Sequence, residues 1–108
     1  MKVAITSSGN SLDSTLDKRF GRCSFFVIYN LESKGFEVIP NPARDSQEGA
    51  GPAAVQLVAS KGVSKIVSGE FGIKIKPLLD SLQMQLIVLK EADKTIQDII
   101  EMLNHKEV

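Results

Sequence analysis

With 108 residues, 43% of them apolar, the chain is sized for one domain around one core. Thirteen acidic residues cancel thirteen basic ones, which excludes a nucleic-acid or anionic-membrane partner chosen by overall charge. One cysteine and one histidine, Cys23 and His105, exclude an internal disulfide and a closed zinc site of four Cys or His ligands.

The lone thiol makes a reducing compartment the expectation, and the apolar run at residues 1–5 is too short for a signal peptide. No stretch approaches the ~20 apolar residues of a membrane span. The expected setting is cytoplasmic, with no membrane and no nucleic acid among the partners.

Lys2 to Thr6 reads as a short buried strand that ends in a polar run of turn formers, residues 6–11. Residues 10–24 form a long loop, with Leu12, Leu16 and Phe20 as its apolar points; loops of this length in a small domain are often functional. Ser24 to Asn30 is a second strand, rich in aromatic and β-branched residues, and Phe36 to Ile39 a third. The turn formers at residues 32–35 make the pair a hairpin. Pro40-Asn41-Pro42 ends it, because proline cannot donate to a ladder.

A second long loop covers residues 43–51. Pro52 fits the first position of a helix, Ala54, Leu57 and Val58 recur at helical spacing, and Gly62 stops the run. Lys65 to Ser68 is a fourth strand. Residues 73–82 hold a helix in which Pro77 is tolerated only in the first turn. Gln85 to Leu89 is a fifth strand. Ile96, Ile99, Ile100 and Leu103 form an i, i+3, i+4, i+7 stripe, with Asp93 or Thr95 as its cap.

The order β-β-β-α-β-α-β-α predicts one three-layer α/β/α domain over residues 1–108. Its sheet is mixed and five-stranded, with one antiparallel strand contributed by the hairpin.

In such sheets ligands gather outside the carboxyl ends of the parallel strands. Three glycine-bearing segments are expected there: Ser8-Gly9, Gly49-Ala50-Gly51, and Gly69 to Gly72. Glycines let backbone N–H groups approach an anion, and a helix N-terminus adds partial positive charge. Any one glycine reads first as a plain tight turn; three such loops at one sheet edge favour a pocket. Lys18, Arg19 and Arg22 put three cations within five residues, partly offset by Asp13 and Asp17. They read either as an oxyanion clamp or as a solvated loop with mutual ion pairs.

Cys23 has three readings. A nucleophile needs a base, and His105 stands in the last four residues with nothing to bring it back. A metal or cluster ligand needs the thiolate, which neighbouring arginines would favour. A small buried hydrophobe needs neither. Strand one carries no carboxylate and Glu70 stands alone after strand four, which argues against a two-metal nuclease. The P-loop and the dinucleotide fingerprint are excluded because their residues do not occur in the required order.

The order and spacing of Val3-Ala4-Ile5-Thr6, of Asp17-Lys18-Arg19-Phe20-Gly21-Arg22-Cys23 leading into Phe25 to Tyr29, of Asn41-Pro42, and of the two later glycine loops resemble a known family. It is the dinitrogenase iron-molybdenum cofactor biosynthesis family, which includes NifX- and NafY-type carriers and the C-terminal domain of NifB-type proteins. The similarity spans residues 1 to about 103.

The resemblance implies a ribonuclease H-like three-layer fold without nuclease activity. It implies a non-enzymatic carrier that takes an iron–sulfur or iron-molybdenum type cofactor, or its precursor, from a donor protein to an acceptor. A homodimer is compatible with it. Many relatives have histidine before Phe-Gly-Arg, where this chain has Arg19. Cys23 is then the remaining metal ligand in the motif. Arg19 and Arg22 would neutralise charge, and the backbone of Ser8, Gly9, Gly49, Gly51, Gly69 and Gly72 would line the pocket. The alternatives at the same crevice are a binding module for a phosphorylated metabolite or nucleotide, and a protein-interaction domain.

Overall fold

The computed structural model describes residues 1–91 and 93–105; the last three positions of the expected 1–108 domain lie outside the described residues. Five strands and three helices follow in the expected order. They are β1 (Lys2–Ser7), β2 (Phe25–Asn30), β3 (Phe36–Pro40), α1 (Ala50–Ser60), β4 (Val63–Ser68), α2 (Lys76–Ser81), β5 (Gln85–Val88) and α3 (Ile96–Asn104).

The sheet order is β3-β2-β1-β4-β5. β1, β4 and β5 run parallel. β2 is antiparallel to both of its neighbours, so it is the single reversed strand of a mixed sheet. Alternation along the strands divides the apolar side chains between two faces. Ala4, Phe26, Ile28 and Ile66 pack under Ala54, Val55 and Val58 of α1 and Leu79 of α2. Val3, Ile5, Val27, Tyr29 and Val67 pack under Ile96, Ile99, Ile100 and Leu103 of α3. The result is the three-layer arrangement, with core on both sides of the sheet.

Local chemistry sets most boundaries. Pro77 lies in the first turn of α2, as its missing N–H requires. Thr95 caps α3: its hydroxyl accepts from the Asp98 N–H, and the Asp98 carboxylate accepts from the Thr95 N–H. Boundaries differ from the sequence expectation at several elements. β4 starts at Val63, two residues before Lys65. α1 starts at Ala50, two residues before Pro52; proline is still harmless there, because first-turn N–H groups have no helical acceptor. Pro40 stays in β3 as its last paired residue, opposite Phe25, which an edge strand tolerates. In the hairpin turn, which lies where expected, Lys34 takes a positive φ of 65°. Asn30 compensates by accepting from the N–H groups of Glu32 and Ser33.

Candidate functional site

The long loop between β1 and β2 does not hang free. It forms isolated bridges from Leu16 to Ser7, from Thr15 to Thr95 and from Arg19 to Glu70. It therefore lies across the carboxyl ends of β1 and β4. Buried hydroxyls fasten it there. Thr6 donates to the Asp17 carbonyl at 2.7 Å and meets the Ser68 hydroxyl at 3.1 Å, and Ser68 donates to the Glu70 carbonyl at 3.3 Å.

Residues 19–22 then run past the N-terminus of α1. A crevice of about 750 Å³ opens between residues 19–22, residues 47–52, and Glu70, Gly72, Lys74 and Ile75. The approach is tight on one side. A methyl group on Gly21 would lie 2.9 Å from the Gly51 nitrogen and 3.0 Å from its Cα. Gly21→Ala must therefore push the motif loop off α1, and the expected cost is about 2 kcal/mol. A denaturation midpoint equal to wild type would show that the two backbones do not meet.

α1 begins without a side-chain cap and without an acidic residue in its first turn. Its N-cap, Gly49, has φ 74° and ψ 17°, a left-handed conformation that glycine adopts without strain. The first-turn N–H groups of Ala50 and Gly51 have no acceptor within the helix and stand at the crevice wall, where partial positive charge accumulates. Arg19, Arg22 and Lys74 add three cations to the lining, against two carboxylates, Glu48 and Glu70.

The two arginines differ in freedom. Arg19 has a side chain 58% exposed, and its Nε lies 3.5 Å from an Asp17 carboxylate oxygen. Arg22 is tied down. Its Nη1 donates to the carbonyls of Arg44 (3.1 Å) and Ser46, and its Nη2 to that of Gln47 at 3.5 Å. Asn41 completes the joint between the two long loops. It is buried, its Nδ2 donates to the Gly21 and Cys23 carbonyls at 3.0 Å each, and its Oδ1 accepts from the Ala43 N–H.

Of the residues expected to form the site, Arg19, Arg22, Gly49, Gly51 and Gly72 come together at this crevice. Gly69 lies beside it, lining a neighbouring cavity of about 270 Å³ with Lys18, Glu70 and Leu89. Ser8 and Gly9 are elsewhere: the Ser8 hydroxyl meets that of Thr15, and Gly9 closes a turn on Ser7.

Cys23 is also elsewhere, and its expected role as metal ligand meets a physical obstacle. It is 0% exposed, within the core under α1 and α2. Its thiol donates to the Phe20 carbonyl at 3.3 Å. Burial, seconded by the Asp17 charge, pushes the thiol up to about 12 from 9.0, against a smaller opposing effect of the Asn41 amide. The arginines do not offset this, since their charged groups are engaged at the loop surface. The placement matches the reading of Cys23 as a small buried hydrophobe.

Lys74 and Asn41 are the residues that sequence reasoning missed. Lys74 stood in a segment read only as helix. Asn41 reads in the sequence as part of a strand terminator and of the family motif, with no role in the site, although an Asn between two prolines outside any helix is a residue suited to clamping backbone.

The model for the family described as dinitrogenase iron-molybdenum cofactor matches residues 1–106. The chain belongs to that family. A family relative, an uncharacterized protein of Methanocaldococcus jannaschii, is 30% identical over 105 residues, covering 94% of this chain and 84% of its own. Among solved structures, the apo form of the orange protein from Desulfovibrio gigas superposes with a TM-score of 0.90 at 25% identity, over 99% of this chain and 89% of that one. A candidate NifB protein from Thermotoga gives 0.82 at 33% identity, over 96% and 87%. Family membership ties the chain to cofactor-related proteins, and the fold is the one these structures share.

Proposed function

We propose that the chain is a non-enzymatic carrier of an anionic iron–sulfur or iron-molybdenum type cofactor, or of its precursor, held at the crevice between the motif loop and α1. The observation that carries this reading is the lining itself: Arg19, Arg22, Lys74 and the uncapped α1 N-terminus share one open cavity. That set attracts an anion, its three cations outnumbering the two lining carboxylates, Glu48 and Glu70. Among the described residues no group of three or more His, Cys, Asp or Glu side chains could hold a metal ion. Retention by charge and hydrogen bonds, without a covalent thiolate bond, suits a cargo that must be handed on. The donor and acceptor proteins that such a role requires belong to this proposal, as does a cytoplasmic setting. Among the described residues no helix is long and apolar enough to cross a membrane.

Anaerobic reconstitution with ferrous iron and sulfide tests the reading. Wild type is expected to retain both after desalting, while Arg19→Ala and Lys74→Ala each retain several-fold less. Retention should fall further in high salt, because exposed charges are screened beyond the ~10 Å Debye length of 0.1 M salt. Equal retention by the charge variants would sink it. A nucleotide or phosphorylated metabolite would use the same cations and the same helix end. Thermal stabilisation by such compounds, with no uptake of iron and sulfide, would favour that alternative.

A further inference from the structure

Arg22 is the one cation of the crevice whose position is imposed by the backbone of another segment. A guanidinium has five N–H donors. Three are directed at the carbonyls of Arg44, Ser46 and Gln47. The Nε–H and the second Nη2 hydrogen make no hydrogen bond among the described residues. A planar fork needs only two such donors to grip an oxyanion or a sulfide-bearing anion.

The segment that holds Arg22 is itself lightly held. Arg44, Asp45, Gln47 and Glu48 are exposed, and the internal bonds of residues 43–46 are a turn and an Asn41 contact: Ala43 N–H to Asn41 Oδ1, Arg44 N–H to the Asn41 carbonyl, and Ser46 N–H to the Ala43 carbonyl.

From this geometry we infer that the carbonyls of residues 44–47 position Arg22 as a preset anion fork, and that loading the crevice orders this segment in return. The inference rests on the carrier reading. An anion on the free donors fixes the guanidinium, and a fixed guanidinium is a better partner for the three carbonyls. By linkage, the ordered segment raises anion affinity to the same degree that the anion orders the segment. Arg22 thus acts twice, as a ligand on one side and as a strut on the other. Lysine keeps the charge, but a single ammonium cannot hold three carbonyls and also present a planar fork.

Amide hydrogen exchange of the segment spanning residues 43–49 tests this, in wild type and Arg22→Lys, each before and after anaerobic loading with iron and sulfide. In wild type, loading is expected to slow exchange there by at least about threefold, with exchange in β1 and β4 unchanged as the internal check on folding. In Arg22→Lys the segment exchanges faster than in wild type before loading and does not slow after it. Unchanged or faster exchange in loaded wild type overturns the inference and leaves the carrier reading standing. Equal exchange in unloaded wild type and Arg22→Lys overturns the positioning role. Failure of wild type to take up iron and sulfide removes the carrier reading and the ordering by cargo with it.

Discussion

Asn41→Ala is expected to lower the unfolding free energy by about 3 kcal/mol, because it removes the partner of three backbone groups at once, two of them buried and one part-buried. The Gly21 and Cys23 carbonyls lose their donor, and the Ala43 N–H loses its acceptor. Position 41 is 4% exposed, so water cannot simply replace the amide. No described buried side-chain nitrogen or oxygen lacks a partner in the native protein; the variant would leave backbone groups without theirs. Asn41→Asp separates hydrogen bonding from shape. A carboxylate keeps the acceptor for Ala43 but faces two carbonyls with no donor. It should be at least as damaging at neutral pH and recover partly in acid, where the carboxyl can donate. Denaturant midpoints check both; a loss under about 1 kcal/mol for Asn41→Ala would mean that the two long loops are joined by something else.

The second large effect is alkaline. Cys23 is held protonated in the folded chain, its thiol pushed up to about 12, while the ordinary thiol value is 9.0. Between those values the unfolded chain gives up the proton and the folded one keeps it. The stabilisation is therefore complete below pH 9 and is lost as pH rises toward 12, at up to about 1.4 kcal/mol per pH unit. Other groups titrate in this range, so the comparison must be with Cys23→Ala. At pH 7 the variant should be less stable by about 1 kcal/mol, having lost a buried sulfur. Above pH 9 wild type declines faster, and the two stability curves converge and cross near pH 10. Parallel curves from pH 8 to 10.5 would show that the thiol is not held in the core.

Much of the fold is legible in the sequence because it rests on local signals. The continuous apolar run Val3-Ala4-Ile5, the position of Pro77, the Thr95–Asp98 pair and the stripe from Ile96 to Leu103 each specify their element through neighbours a few residues away. The family resemblance rests on other short motifs, chiefly Asp17 to Cys23, Asn41-Pro42 and the two later glycine loops, and the match over residues 1–106 bears it out.

The site is less legible because it is built by side chains that bond across 18 to 25 residues. Asn41 reaches Gly21 and Cys23, and Arg22 reaches residues 44, 46 and 47. No periodicity encodes such contacts. A sequence shows that Arg22 is a cation, not that three of its donors are spent on backbone. The same limit applies to Cys23. Two nearby arginines suggest a lowered thiol value, but only the path of the loop shows the sulfur turned under α1 and the guanidinium turned away from it. Ser8 and Gly9 likewise read as a ligand loop, whereas pairing of Leu16 with Ser7 turns that segment toward Thr15.

The central claim is that an anionic cargo is held by charge at the crevice and not by the thiol. Iron and sulfide bound per chain after anaerobic reconstitution, measured side by side for wild type, Cys23→Ala and Arg22→Ala, tests it most directly. The account predicts that Cys23→Ala retains as much of both as wild type and that Arg22→Ala retains several-fold less. Loss of retention in a folded Cys23→Ala protein, with Arg22→Ala unaffected, would contradict it.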